Sequence, residues 1–139
     1  MEITGLFLRR ICTLCRTVLL KKVHSVSPIK TKIGKNYYFF SKTTKTLGQM
    51  QKNSWQTISN KKYYFKANGV MATGKTKVGK NYYFFSKKTK TLGQMQKNCW
   101  QTISKKKYYF KSNGVMAKSC TMKIKGKKYK FNAKGQLVK

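Results

Sequence analysis

The sequence has almost no negative charge. Glu2 is its single acidic residue against 33 Lys and Arg, which gives a formal net charge of +32. The folded chain can therefore form almost no internal salt bridges, and it repels itself at low salt. This imbalance predicts a polyanionic partner or surroundings. Nucleic acid, teichoic-acid phosphate and anionic lipid would each gain from counterion release by clustered Lys, so charge alone does not choose among them.

The shortage of acidic residues also limits catalysis. General acid–base chemistry needs a carboxylate or a His in a pocket, and the sequence offers only Glu2 and His24, both outside the repeats described below. A Cys nucleophile would have no placed base. Cys12 and Cys15 have the spacing of a redox or metal pair, but no second Cys pair or His cluster accompanies them, so they support a zinc site only weakly. We expect no enzyme, no metal site and no cofactor.

Long apolar runs are missing as well. No segment reaches the roughly 18 consecutive apolar residues that span a bilayer, and three Arg residues interrupt residues 3–20. No small-residue cleavage site follows, so residues 1–29 contain no clear signal peptide. We expect no integral membrane segment, and we expect residues 1–29 to form an irregular or partly helical N-terminal segment.

The sequence is rich in repetition. Lys30 to Gly74 recurs as Lys75 to Ser119, a 45-residue period with seven differences, which indicates a recent duplication. A shorter pattern also occurs five times, in which a β-branched residue precedes a Tyr by five positions and that Tyr precedes a Phe by two. The anchors are Ile33, Tyr38 and Phe40; Ile58, Tyr63 and Phe65; Val78, Tyr83 and Phe85; Ile103, Tyr108 and Phe110; Ile124, Tyr129 and Phe131. The five predicted repeats are at about residues 30–50, 51–71, 72–95, 96–116 and 117–139.

Each repeat has the pattern of a β-hairpin. In the second repeat, a two-residue turn at Asn60–Lys61 would place Ile58 opposite Tyr63. Gln56 would then face Phe65. The corresponding turns would be Lys105–Lys106 in the fourth repeat and Gly126–Lys127 in the fifth.

Alternation along the strands predicts two faces in each hairpin. In the second repeat the core face would carry Ile58, Tyr63 and Phe65, and the opposite face Trp55, Thr57 and Tyr64. A single hairpin is not stable in water, so consecutive repeats must stack to bury their anchors. The predicted fold of residues 30–139 is therefore all-β, a solenoid of tandem β-hairpin repeats.

Residues 55–74 read WQTISNKKYYFKANGVMATG, and their aromatic, turn, Gly and Met positions recur in each repeat. This pattern resembles the cell-wall-binding repeats of choline-binding proteins, of glucan-binding proteins and of the repetitive C-terminal region of clostridial toxins. The resemblance covers about residues 30–139. It implies a β-solenoid whose grooves between hairpins bind choline on teichoic acids or glycan chains. It also implies a secreted or cell-surface location, usually as the attachment part of a larger enzyme or toxin.

In choline-binding members, an aromatic cage from consecutive repeats surrounds the quaternary ammonium. Trp55 and Trp100 match the family's leading Trp, whereas Lys75 or Thr76, and Thr121, stand at that point in later repeats. The aromatic that opens the family's aromatic run is matched by Tyr37 and Tyr82 and replaced by Lys62, Lys107 and Lys128 elsewhere. A Lys beside the cage would repel choline. We therefore favour a glycan or an anionic wall polymer over choline, because aromatic faces stack on sugars and Lys pairs with phosphate or carboxylate.

The expected ligand contacts follow from this comparison. The candidate groove aromatics are Trp55, Trp100, Tyr37, Tyr82, Tyr64 and Tyr109. Packing between hairpins is the alternative role of the two Trp residues. The candidate polyanion contacts are Lys61, Lys62, Lys105, Lys106, Lys107, Lys127 and Lys128, whose alternative role is to keep strand edges from pairing.

Two functions remain open. The first is a non-catalytic binding module for a Gram-positive cell-wall polymer, either glycan or teichoic acid, that forms the C-terminal part or a remnant of a larger surface or secreted protein. The alternative is a non-specific polyanion binder driven by Lys charge. In that case nucleic-acid bases would stack on the Tyr rings.

Overall fold

A computed structural model describes residues 30–41 and 48–138. The N-terminal segment, with its expected irregular or partly helical structure, lies outside these residues, as do Cys12, Cys15 and His24. The strands are β1 (Lys30–Ile33), β2 (Asn36–Phe39), β3 (Ser54–Ile58), β4 (Lys61–Phe65), β5 (Gly74–Val78), β6 (Asn81–Phe85), β7 (Met95–Gln96), β8 (Cys99–Ile103), β9 (Lys106–Phe110), β10 (Cys120–Ile124), β11 (Lys127–Phe131) and β12 (Leu137–Val138). No α-helix is found among the described residues, and a 3₁₀ turn covers Thr89–Thr91.

The described strands form five antiparallel hairpins, each from two strands that are consecutive in the chain. The pairs are β1 with β2, β3 with β4, β5 with β6, β8 with β9, and β10 with β11. In two hairpins a short third strand adds to the second one, as β7 adds to β6 and β12 adds to β11. The predicted all-β fold of tandem β-hairpins is confirmed.

The hairpin turns lie one residue earlier than the sequence predicted. Ser104 and Lys105 have φ angles of 48° and 61°, and a positive φ at both central residues is what a type I′ turn requires. Ile103 therefore pairs with Lys106 and Gln101 with Tyr108. The predicted turns at Asn60–Lys61, Lys105–Lys106 and Gly126–Lys127 are wrong, because the central pairs are Ser59–Asn60, Ser104–Lys105 and Lys125–Gly126.

The third hairpin shows why the turns occupy this position. Val78 pairs with Asn81, which leaves Gly79 and Lys80 as the central turn residues. Gly79 has a φ of +58°, a conformation that Gly adopts without steric cost. The register moves by two partner positions relative to the prediction, so each residue stays on its predicted face. The observed register places Trp100 directly opposite Tyr109, which the predicted register would not.

A return segment closes each hairpin on a Phe at the end of its second strand or directly after it. Phe85 faces Met95 and Phe131 faces Leu137 within the short third strands. Isolated bridges join the same two positions in the other hairpins: Phe40 with Met50, Phe65 with Met71, and Phe110 with Met116. In every hairpin, this Phe therefore pairs with the Met or Leu of the return segment.

The described residues divide into two compact units. The first contains the described residues up to Ser54 together with Phe65–Met71. Within it the rings of Phe39 and Phe65 lie 5.7 Å apart. The Tyr37 carbonyl accepts a hydrogen bond from the Met71 N–H at 2.8 Å.

The second unit contains Trp55–Tyr64 and the described residues from Ala72 onward. In it the fourth hairpin buries both of its faces. Tyr108 and Phe110 form one cluster against Phe84 of the third hairpin. Tyr109 and Trp100, on the opposite face, pack against Phe131 of the fifth hairpin. Successive hairpins of this unit thus stack face to face, which is the solenoid arrangement predicted for the repeats.

Candidate binding clefts

An open cleft lies between the fourth and fifth hairpins of the second unit. It has a volume of about 350 Å³ and is lined by Trp100, Thr102, Lys107, Tyr129 and Leu137, which together are called the Trp100 cleft below. Trp100 and Thr102 come from β8 and Lys107 from β9. The fifth hairpin contributes Tyr129 from β11 and Leu137 from β12. The cleft is therefore complete only when two consecutive repeats are stacked.

Three aromatic rings hold Trp100 in place. Its ring centroid lies 5.0 Å from that of Tyr129 at an interplanar angle of 68°. The Tyr109 ring is 5.1 Å away and the Phe131 ring 5.8 Å away. Edge-to-face and tilted pairs at these distances are the favourable aromatic geometries. The indole is thus fixed before any ligand arrives, so binding there loses little side-chain entropy.

The cleft also carries a positive charge. Lys107 lies directly opposite Thr102 in the β8–β9 ladder and is exposed. The only acidic side chain of the sequence is Glu2, outside the described residues, so no carboxylate side chain of the described residues can neutralise Lys107. An aromatic ring, a hydroxyl and an ammonium group therefore face the same space. This set can stack on the C–H face of a sugar and pair with a carboxylate or phosphate.

The duplicated sequence builds the same arrangement around Trp55. The Trp55 ring lies 4.9 Å from Tyr83 of the third hairpin at 73°, and 5.2 Å from Tyr64 of its own hairpin. Phe85 completes the set at 5.7 Å. Each of these distances is within about 0.1 Å of its Trp100 counterpart. Trp55 is 38% exposed, which leaves its ring accessible to a ligand.

The groove between the third and fourth hairpins is different. Lys75 pairs with Phe84 as Trp100 pairs with Tyr109, so Lys75 rather than Thr76 stands at the position of the leading Trp. Its ammonium lies 4.8 Å from the ring centroid of Tyr108 and 5.4 Å from that of Tyr82. The first hairpin repeats part of this arrangement, because the Lys30 ammonium lies 4.9 Å from the Tyr37 ring.

The structure places the remaining candidate residues as follows. Tyr64 is half-buried beside Trp55, and Tyr109 is 9% exposed beside Trp100. Both Tyr rings pack against the Trp ring of their own hairpin. The candidate Lys residues are all exposed and lie in or next to the turns: Lys61, Lys62, Lys105, Lys106, Lys107, Lys127 and Lys128. Of the Lys residues in this set, Lys107 lines the Trp100 cleft.

Sequence reasoning did not select Tyr129, Leu137 and Thr102 as lining residues. Tyr129 has the same repeat position as Tyr108 and was assigned to the core with it, but Tyr108 is 6% exposed and Tyr129 is half-buried. The difference lies in the preceding hairpin: the Tyr129 ring meets Trp100, as the half-buried Tyr83 ring meets Trp55, whereas the Tyr108 ring meets the Lys75 ammonium. The alternation of Thr102 with Trp100 along β8 was the available signal, since both point to one face.

A family model of the choline-binding repeat matches residues 52–99 and 97–139. The chain belongs to the choline-binding repeat family. The sequence pattern predicted a cell-wall-binding repeat family, and this match confirms that prediction. A search of the curated proteins gives no match.

Solved structures of choline-binding proteins are similar to this one. Choline-binding protein F of Streptococcus pneumoniae, in the presence of a peptidoglycan analogue (a tetrasaccharide-pentapeptide), matches with a TM-score of 0.62 and 29% identity over 78% of this chain and 33% of that chain. The modular autolysin LytC of the same organism, in complex with a synthetic peptidoglycan ligand, matches with a TM-score of 0.63 and 28% identity over 80% of this chain and 24% of that one. The chain thus spans a third or less of the length of these relatives.

Two properties of the described residues bear on the partners of this choline-binding repeat protein. None of its described helices is long and apolar enough to cross a membrane. The described residues also contain no group of three or more His, Cys, Asp or Glu side chains that could hold a metal ion.

Proposed function

We propose that the choline-binding repeats of this chain bind an anionic cell-wall polymer, a glycan or a teichoic acid, in the Trp100 cleft and in the equivalent groove at Trp55. The observation that carries the proposal is the convergence of Trp100, Tyr129 and Lys107 on one cleft. A sugar ring would stack on the Trp face, and a carboxylate or phosphate of the same polymer would pair with the Lys107 ammonium.

Lys107 also argues for an anionic polymer rather than choline alone. A cation–π contact contributes about 0.5 to 2 kcal/mol. Two like charges roughly 4 Å apart repel by about 1 kcal/mol in water and about 4 kcal/mol at an effective dielectric constant of 20. A quaternary ammonium placed beside Lys107 would therefore lose about as much as it gains from the aromatic rings. A phosphate or carboxylate in the same place gains from both neighbours.

The Lys residues at the turns would add attraction at longer range. They are exposed in the second, fourth and fifth hairpins, and the chain carries a formal net charge of +32. Such a charge raises the rate of encounter with a polyanion and makes the affinity depend on salt. In this proposal the turn Lys residues attract the wall polymer, and the two Trp sites give the binding its selectivity.

Residues 30–139 would then form one binding segment of five repeats, at about 30–50, 51–71, 72–95, 96–116 and 117–139. The relatives of solved structure are at least about three times as long as the matched part. This difference supports a role as the C-terminal part, or a remnant, of a larger protein that is secreted or displayed at the cell surface.

The test is retention of the full chain on purified Gram-positive cell walls, with and without their teichoic acid, across a series of salt concentrations. We expect the Trp55→Ala, Trp100→Ala double variant to lose retention at high salt. Lys107→Gln should weaken retention by about tenfold, the size of one charged hydrogen bond. The matched control is Lys118→Gln, which removes an exposed Lys that is not among the cleft-lining residues.

Two outcomes would contradict the proposal. If Lys107→Gln and Lys118→Gln weaken retention equally, Lys107 acts only through net charge. If retention disappears at high salt and ignores both Trp substitutions, the chain is a non-specific polyanion binder that would retain nucleic acid equally well. Walls stripped of teichoic acid separate the two polymers, because a glycan ligand stays on the wall and a teichoic acid does not.

A further inference from the structure

The Lys75 ammonium lies between two aromatic rings from different hairpins. Tyr82 belongs to β6 of the third hairpin and Tyr108 to β9 of the fourth. The Nζ atom lies 5.4 Å from the first ring centroid and 4.8 Å from the second. Both distances are within the range in which a cation is attracted to the face of an aromatic ring. Two rings that converge on one ammonium have the geometry of a cation-binding site, and the chain supplies the cation itself.

The repeat register shows that this arrangement is the reverse of the Trp100 cleft. In the fourth hairpin the first strand carries the aromatic Trp100 and the second strand carries Lys107. In the third hairpin the first strand carries Lys75 and the second strand carries Tyr82. Lys107 lies opposite Thr102, and Tyr82 lies opposite Lys77, at the same distance from the turn. The aromatic residue and the Lys have therefore exchanged strands between the fourth and the third hairpin.

The exchange has different consequences for access. Trp100 is held by three rings, and open space remains between it and Lys107. Lys75 has a flexible stem that reaches its own aromatic partners, so the ammonium sits where an external cation would have to bind. Tyr108 is 6% exposed, and its ring is part of a buried cluster. Lys75 itself is exposed, so an external cation that approaches the two rings would compete there with the tethered ammonium.

We propose that Tyr82 and Tyr108 form a site for a small organic cation, that Lys75 of the same chain occupies it, and that Lys75 thereby excludes external quaternary ammonium ligands from this groove. The tethered ammonium competes at an effective concentration that is typically in the millimolar range or above. The site becomes available to an external cation when Lys75 is removed. This inference holds whatever polymer the two Trp sites bind.

The experiment uses the full chain, with its Tyr rings labelled with carbon-13, and tetramethylammonium chloride as the probe. Aromatic signals of Tyr82 and Tyr108 are followed by NMR during the titration, against sodium chloride at equal ionic strength. In the wild-type protein these signals should not respond saturably. In Lys75→Ala they should show a saturable shift, with an apparent affinity about tenfold or more above that of the wild type at this site.

Three further variants make the result specific. Lys75→Gln removes the charge while keeping most of the stem, and it should gain the same response even if Lys75→Ala perturbs the stacking. Lys77→Ala removes an equal charge two residues along the same strand and should gain nothing. Tyr82→Leu in the Lys75→Gln background should abolish the gain, because one wall of the site is then missing.

A measurement on the unmodified protein tests the occupied state directly. Ring currents should move the ε-CH₂ protons of Lys75 upfield from those of Lys77. Tyr82→Leu should reduce that displacement. The proposal is overturned if Lys75 and Lys77 have the same ε-CH₂ shifts. It is also overturned if neither Lys75 variant gains a tetramethylammonium response, or if Lys77→Ala gains an equal one.

Discussion

Gly135→Ala should destabilise the fifth hairpin more than Gly79→Ala destabilises the third, although both glycines have a positive φ. The angles are +75° at Gly135 and +58° at Gly79. A Cβ atom on Gly135 would lie 2.5 Å from the Met116 Cε and 2.9 Å from the Ala117 carbonyl oxygen. A Cβ atom on Gly79 would meet nothing within 4 Å. The two substitutions therefore share a backbone cost and differ in a steric one.

The magnitudes follow from these contacts. Placing Ala in the left-handed region costs about 1 to 2 kcal/mol, and this applies to both positions. At Gly135 the flexible Met116 side chain can move aside, but the Ala117 carbonyl belongs to the backbone of the preceding segment. Overpacking of this kind adds about 1 to 3 kcal/mol. The expected difference between the two variants is therefore about 1 to 3 kcal/mol, a factor of roughly 5 to 150 in the opening equilibrium.

Amide hydrogen exchange on the full chain is the suitable assay, because a stack of repeats can open locally without unfolding as a whole. The Asn132 N–H, bonded to the Gln136 carbonyl at 3.0 Å, and the N–H of residue 135, bonded to the Asn132 carbonyl at 2.9 Å, report on the fifth hairpin. Gly135→Ala should accelerate the exchange of both amides more than Gly79→Ala accelerates that of the Ser86 N–H, which bonds to the Gln94 carbonyl at 2.9 Å in the third hairpin. Equal accelerations in the two hairpins would refute the close approach to Ala117.

Three other expectations concern the cleft, a side-chain cap and a half-buried charge. Single Trp55→Ala and Trp100→Ala variants should each keep part of the wall retention that the double variant loses, and a single variant as weak as the double one would contradict two separate sites. Asn132→Ala should destabilise its turn more than Asn113→Ala, by about 1 kcal/mol in chemical denaturation, because the Asn132 side chain accepts two backbone N–H bonds and that of Asn113 accepts one. Burial lowers the pKa of Lys30 by desolvating its charged form. The folded state then binds this proton more weakly than the unfolded state, so the contribution of Lys30 to stability should increase as the pH rises from the lowered pKa to the ordinary one. A titration of the Lys ε-carbons by NMR checks the direction.

The two faces of each hairpin could be predicted from the sequence because five copies of one pattern constrain each other. Alternation in β8 and β9 was enough to put Trp100 and Tyr109 on one face, and the ladder pairs them directly. The turn positions were less accessible. Ser104 and Lys105 both adopt a positive φ, and neither residue type signals this conformation. The signal for the turn position is Gly79, which occupies the equivalent place in the third hairpin.

The cleft was harder to predict than the fold. Its lining joins Trp100 and Lys107 of one hairpin to Tyr129 and Leu137 of the next. A sequence pattern places residues on the face of their own strand, but it does not determine which ring of the following repeat lies against that face. Lys75 illustrates the same limit, because the resemblance left Lys75 and Thr76 as alternatives and only the pairing with Phe84 decides between them.

The exchange of aromatic and cation between hairpins determines how this protein would engage a polymer. The leading Trp recurs with the 45-residue duplication, at Trp55 and Trp100, and not with every hairpin. Under the proposed function, both Trp residues are binding sites. A long ligand bound at one Trp site would be held near the other at a millimolar effective concentration, which can raise the avidity by about 10² to 10⁴ over a single site. Each further duplication of this block would add one valence, whereas addition of a Lys75-type hairpin alone would add only spacing. The number of duplicated blocks, rather than the number of hairpins, would then set the strength of attachment.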